Sequence, residues 1–226
     1  MVEVVKKIKD TKKKIESLDF DAHWYRRVFH AFGASFLFYY MLPNLDWINL
    51  FKFWIPPVIV AIALILEILR LKGKISSDHF FGLRFYEKKR IGSYVFFAVA
   101  ILILLRFFPQ QIAIPCILCV CIADPAMGEI RIHLNIKYVY VFGFLLCMFF
   151  FLIAWYKADI WLMITASLIG ASGAIIGETK KFWWLDDDFM IQMVPAVLLL
   201  IFWMALSYIG VNIPQENIIY PGLMPW

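Results

Sequence analysis

The sequence predicts an all-α polytopic membrane protein of about seven transmembrane helices, with a cytoplasmic N-terminus led by an amphipathic helix. Three observations carry this. First, 63% of the 226 residues are hydrophobic and only 17% charged, with a mean hydropathy of +0.76, whereas a soluble domain is about half apolar and a quarter charged. Second, apolar runs near 28–43, 53–69, 91–108, 110–127, 138–156, 159–177 and 189–211 approach the length needed to cross about 30 Å of hydrocarbon. Third, with the N-terminus inside, 19 of the 22 Lys and Arg fall on the inner side and only Lys52, Arg106 and Lys157 outside. That asymmetry fixes the N-terminus inside and the C-terminus outside.

Taken in order, residues 1–24 form an amphipathic cytoplasmic segment. Val5, Ile8, Ile15 and Leu18 recur at helical spacing against a lysine face, a pattern that suits anionic lipid headgroups as well as a solvated positive tail. It lacks the apolar core and small-residue cleavage site of a signal peptide, so no removal is expected. Residues 25–212 read as one transmembrane domain. Its first run is short and ends at Pro43, and its longest inner connection, 70–90, mixes bases, acids and aromatics, as functional loops often do. Pro125 disfavours helical backbone at Asp124, so the fourth helix should kink or break there. Gly170, Gly173 and Gly177 read as a close-packing stripe, and Cys116, Cys119 and Cys121 as small packing residues. Residues 213–226 form an outer interfacial tail with Tyr220 and Trp226 at headgroup depth. The formal charge of +5 reflects topology; no basic patch interleaved with stacking aromatics calls for a nucleic acid polymer.

The acids carry more information, because Asp and Glu contribute little to orientation. Nine lie at inner ends of spans or in inner loops and only Asp46, Asp159 and Glu216 outside. In "HWYRRVFHAFG", Arg26 and His30 share a helical face, and with Arg27 they could grip phosphate oxygens or simply anchor a helix end. Glu67 in "LILEILR" and Asp124 in "IADPAMG" place acids near the inner ends of their spans, where the cost of burial falls below the roughly 2.5 to 3.5 kcal/mol of the bilayer centre. Asp124 reads equally as a cation ligand or as a partner for Arg131. Arg84 and Glu87 in "LRFYEKK" could be a surface pair. In "GETKKFWWLDDDFMIQMVP", one Asp would cap the last helix; three adjacent ones repel unless a cation or a nearby Lys compensates, and such hard oxygen ligands suit Mg²⁺.

This ordered set resembles the CTP-dependent lipid kinase family of dolichol kinase, phytol kinase and eukaryotic-type diacylglycerol kinase. "RRVFH" is similar to the family's Arg-Lys-x-x-His, "LEILR" and "LRFYEKKRIGSYVFFAVAIL" to its Glu-bearing second span and the Arg/Glu loop before the third. "IADPAMG" matches part of its Ala-Asp-x-Ala-x-x-x-Gly region, and "GETKKFWWLDDDFMIQMVP" its Glu followed by Asp-Asp-Asn and a span. Each motif is short; together they run from residue 24 to about 200. Asp188 stands where the family has Asn, and the family's Lys-Ser/Thr-x-Glu-Gly stretch has only Lys137 in its place, which marks a divergent member.

The resemblance implies a membrane-embedded kinase that transfers the γ-phosphate of CTP to a polyprenol-, dolichol- or diacylglycerol-like hydroxyl, with Mg²⁺ as cofactor. It implies Arg26, Arg27, His30, Arg84 and Lys137 as phosphate-binding residues and Asp124, Glu178, Asp187 and Asp188 as metal ligands. Glu67, Glu87 and Asp124 are the catalytic candidates. The site would face the cytoplasm, at the plasma membrane of a prokaryote or the endoplasmic reticulum of a eukaryote. A cytidylyltransferase making a CDP-activated lipid would use similar groups. A transporter or non-catalytic lipid-binding protein is the remaining alternative, though a transporter should carry its charges nearer the midplane.

Overall fold

The computed structural model describes residues 27–76, 83, 87, 89–179, 185–211, 213 and 217–220. The amphipathic segment 1–24, Arg26, Arg84 and Trp226 therefore lie outside the described residues. Among the described residues every regular element is helical. The chain enters through α1 (27 to 33), a 3-10 turn at Ala34–Leu37 and α2 (Phe38–Met41), and continues with α3 (Asp46–Leu71), α4 (Ser93–Phe107) and α5 (Gln110–Leu118). A π turn (Cys119–Ala123) links α5 to α6 (Asp124–Ile130), followed by α7 (Ile136–Ala154), α8 (Ile160–Thr179) and α9 (Asp187–Tyr208).

Five helices are long and apolar enough to cross a membrane: α3, the continuous α5–π–α6 helix, α7, α8 and α9. This is the architecture of an integral membrane protein. The helix α4 is apolar but only 15 residues long, about 22 Å at 1.5 Å per residue, and 27–41 is divided into three short pieces.

The core lies where α8 packs between α7 and α9, with α5 against α7 and α9. Small residues on α8 make this possible. At Gly170 a Cβ would meet the Phe151 ring at 2.7 Å, at Gly173 the Pro195 Cα at 2.8 Å, and at Gly177 the Met190 backbone, its carbonyl carbon at 2.6 Å. The close-packing reading of these glycines thus has direct contacts behind it. Any side chain at 177 would push apart two backbones at the end of the bundle where Glu178 and Asp188 sit.

The helix α3 behaves differently. It lies on the periphery and exposes Trp47, Leu50, Phe51, Trp54, Ile62 and Ile65, among others. A shielded stripe runs through Ile48, Lys52, Pro56, Val60, Ala63, Glu67 and Arg70, at the spacing of three and four that marks one helical face, and this helix packs on α4.

The helix through Asp124 does not break. Asp124 keeps right-handed helical backbone, φ −62° and ψ −52°, and the chain passes from α to π geometry just before it. The wider turn places Pro125 in the first turn of α6, where a missing N–H donor costs little. The strain expected of the proline is absorbed upstream, and the acid stays on a helix.

At the opposite end of the bundle, cations rest on carbonyls and rings. Lys52 Nζ donates to the Leu42 carbonyl at 2.6 Å. Arg106 donates to the Phe53 carbonyl and lies 4.3 Å over the Phe53 ring. Gln110 Oε1 accepts from the backbone N–H groups of Ile218 and Ile219 at 2.9 and 2.8 Å, which ties the C-terminal tail over the start of α5. Tyr220, half-exposed, accepts from Lys157 at 3.2 Å, as an interfacial aromatic can.

Candidate functional site

The site begins with His30. At Gly33, less than one turn later, a Cβ would meet Phe97 Cζ at 2.5 Å and Cys121 Sγ at 2.9 Å, so the missing side chain lets α1 lie directly on α4 and the π turn. His30 is buried, 4% exposed, its ring edge-on to Phe97 at 5.3 Å. The start of α9 is held from the same side, with Phe189 against Phe96 of α4 at 6.3 Å. Asp124 is delivered by the end of the π turn and Asp188 by the first turn of α9.

These three elements bring one ligating atom each from His30, Asp124 and Asp188 within 4.8 Å of one another. His30 Nε2 lies 3.6 Å from Asp188 Oδ2, both side chains at or below 5% exposure; Asp124 is half-buried. Asp186, Asp187 and Asp188 form a second group of the same tightness that shares Asp188. Capping does not account for this run: Asp186 occupies the N-cap position, yet its side chain makes no cap hydrogen bond.

Glu178, at the end of α8, is also buried. Arg131 Nη2 donates to its Oε1 at 2.8 Å, which makes Glu178 an ion-pair partner of Arg131. Partial burial depresses the pKa of Arg131, but the hydrogen bond and charge of Glu178 outweigh it and the net shift is upward. The other oxygen, Oε2, is buried and accepts no hydrogen bond; the charges of Asp187 and Asp188 act on this carboxylate. Deeper along α9, Gln192 is fully buried. Its Nε2 donates to the Asp188 carbonyl at 2.7 Å, and its Oε1 accepts nothing. An amide one turn below an acid has no charge and no motif, so nothing in the sequence singled it out; only the i, i+4 spacing from Asp188 could have.

A second buried constellation lies at the same end of the bundle. Arg70 donates through Nε to Glu67 Oε2 at 2.7 Å and through Nη2 to Glu67 Oε1 at 2.6 Å. Nη2 also reaches the backbone carbonyls of Glu87 at 3.1 Å and Arg90 at 2.6 Å. Glu67 Oε1 further accepts from the Gly92 N–H at 2.6 Å and Oε2 from the Tyr94 hydroxyl at 2.7 Å. Each Glu67 oxygen thus accepts two hydrogen bonds, and the pair fastens residues 87–94 to the end of α3. Glu67, expected as a catalytic candidate, is placed in this clamp and not in the His30 cluster. Glu87 contributes its carbonyl to the same clamp, and its side chain is 1% exposed.

The remaining residues fall around the rim. Arg27 forms an ion pair with the exposed Glu129. Lys137 is exposed in the first turn of α7, its backbone N–H taken by Asn135, and its ammonium has no ion-pair partner among the described residues. Arg26 and Arg84 lie outside them.

Compared with family models, curated proteins and solved structures, the chain finds no match in any of the three. What it does must be argued from its own geometry.

Proposed function

We propose that the protein is a membrane-embedded lipid-alcohol kinase, transferring the γ-phosphate of CTP to a polyprenol-, dolichol- or diacylglycerol-like hydroxyl at the cytoplasmic face. The observation that carries this reading is the meeting of His30, Asp124 and Asp188, from three separate elements, within 4.8 Å at one end of an apolar helical bundle. Buried histidine and carboxylate groups on a membrane protein are costly unless they serve a charged ligand or each other. The carboxylates, Asp124 and Asp188 with further acids beside them, fit a hard divalent cation such as Mg²⁺, while the His30 imidazole is a donor that softer divalent metals take more readily. CTP and the class of alcohol rest on the resemblance of the motifs.

In this reading the chain spans the membrane seven times, with α4 and the 27–41 pieces added to the five long helices, the N-terminus inside and the C-terminus outside. Asp124 and Asp188, with His30, would hold the divalent cation, with Asp187 beside Asp188. The ion, when bound, neutralises nucleotide phosphate oxygens. Phosphoryl transfer proceeds through a loose transition state, so positioning and neutralisation do most of the work. Arg27 and Arg131, partly exposed at the rim, face the remaining phosphate charge with planar donors. Asp124, the more open of the two carboxylates, would accept the proton of the lipid hydroxyl as its oxygen bonds to the γ-phosphorus and the bond from that phosphorus to the β–γ bridging oxygen breaks, releasing CDP. Glu67 takes no part in the chemistry, since its oxygens are already occupied.

The test is transfer of label into lipid from γ-labelled CTP or ATP, using purified protein, Mg²⁺ and a mixture of lipid alcohols. Label should enter lipid from CTP, and Asp124→Asn should reduce the rate by about a hundredfold or more, the size expected when transition-state charge loses its support. Incorporation of α-label with release of pyrophosphate would make the protein a cytidylyltransferase instead. Transfer of neither label by folded protein would sink the enzyme reading.

A further inference from the structure

The ligand atoms of His30, Asp124 and Asp188 also bear on which ion they take. They come from three elements, α1, α6 and α9, and lie within 4.8 Å of one another. His30 Nε2 and Asp188 Oδ2 are 3.6 Å apart, longer than an N–H···O hydrogen bond of about 2.7 to 3.2 Å. Metal–ligand bonds of about 2.1 Å set neighbouring donor atoms about 3.0 to 3.4 Å apart, so the pair is within about half an ångström of the spacing on a shared ion.

The donors are of mixed character. Carboxylate oxygens accept Mg²⁺ and the transition ions alike, whereas an imidazole nitrogen favours the transition ions. Burial works in the same direction. The His30 and Asp188 side chains are at or below 5% exposure, so an ion between them gives up water on that side, which Mg²⁺ does reluctantly. We propose that the cation of this site is a first-row transition ion, with Mn²⁺ the closest match to two carboxylates and one imidazole, and that His30 is the residue that selects it over Mg²⁺. This gives His30 a place at the metal instead of the phosphate contact that the motif resemblance implies. It deepens the phosphoryl-transfer reading and rests on it for the use of the ion, but its test needs no turnover. Because Gly33 lets α1 lie on α4 and the π turn, the bound ion would also tie α1 to α6 and α9 and raise the thermal midpoint.

The experiment is pulsed electron paramagnetic resonance on the purified, tag-free full-length protein loaded with Mn²⁺ alone, in which a directly bound imidazole nitrogen modulates the echo. The wild type should bind Mn²⁺ with nitrogen coupling, and an excess of Mg²⁺ of about tenfold should not displace it. His30→Asp, which puts a third carboxylate in place of the nitrogen, should still bind Mn²⁺ but lose the coupling and yield the ion to Mg²⁺ far more easily. His133→Gln, at an exposed position between α6 and α7, should change neither. Absence of bound Mn²⁺ or of nitrogen coupling in the wild type, displacement by an equal concentration of Mg²⁺, or coupling that survives His30→Asp overturns the proposal; the first three are read without any variant. Nitrogen coupling with no label transfer from CTP would keep the ion and reject the kinase, and transfer with Mg²⁺ but no nitrogen coupling would do the reverse.

Discussion

Two sets of buried charge sit at one end of this bundle, and they differ in how completely they are satisfied. Both oxygens of Glu67 have two donors each, and Arg70 uses its remaining reach on backbone carbonyls. Around Asp188, carboxylates gather near one another and leave Glu178 Oε2 and Gln192 Oε1 without donors. The first arrangement resembles a fastening: it joins α3, otherwise turned outward, to the start of α4. The second gathers acidic oxygens within reach of a single cation. An acid near a membrane interface is therefore not functional by charge alone; what decides is whether its lone pairs are already taken.

The sharpest way to break this contrast is to treat the two sets alike. Arg70→Ala should leave Glu67 buried without its counter-charge and cost about 3 to 5 kcal/mol, read as a large fall in thermal midpoint in detergent. Asp124→Asn removes the half-buried one of several like charges and should leave that midpoint nearly unchanged or slightly raised in the absence of divalent cation, while transfer activity is lost. Equal destabilisation by both variants would erase the distinction between fastening and site.

A smaller effect tests the frame that holds the acids together. Gly177→Ala forces a methyl group against the Met190 backbone, an overpacking that should cost about 1 to 3 kcal/mol and, by separating α8 from α9, weaken Mn²⁺ binding disproportionately. Gly128→Ala is the control, since a Cβ there meets nothing within 4 Å. The smallest effect belongs to the rim. Glu129→Gln breaks an ion pair with Arg27 whose acid is half exposed, and should change stability by less than about 1 kcal/mol in a melting experiment repeated at high salt.

Much of the fold was legible because hydropathy and helix length report the same thing in a membrane. The run 110–127 is extended by only three residues, and 159–177 and 189–211 correspond to α8 and α9 within three residues at either end. The run 53–69 missed the first two turns of α3, because Asp46 and Lys52 interrupt the apolar pattern; the structure turns Lys52 back onto the Leu42 carbonyl, so the helix continues beneath it. Within the site, His30, Asp124 and Asp188 could be singled out as polar residues where apolar ones were expected. Their convergence could not, since it depends on Gly33 allowing α1 onto α4 and on a non-α turn. Glu67 is the opposite case: its pairing with Arg70 has the i, i+3 spacing of one helical face, but its other two donors, Gly92 and Tyr94, lie 25 and 27 residues away, and no local spacing reveals that they complete its hydrogen bonds.

The π turn at Cys119–Ala123 has one more consequence, which concerns phase. Opening a helix by one extra residue rotates everything beyond it by about 100° relative to an unbroken α-helix. Asp124 immediately follows that rotation. Deleting a single residue from the turn would preserve composition, hydropathy and nearly all of the length of the span, yet swing the carboxylate about a quarter-turn away from His30 and Asp188. Whether this end of the bundle can gather a cation is thus set by the winding of one helix as much as by the acids along it.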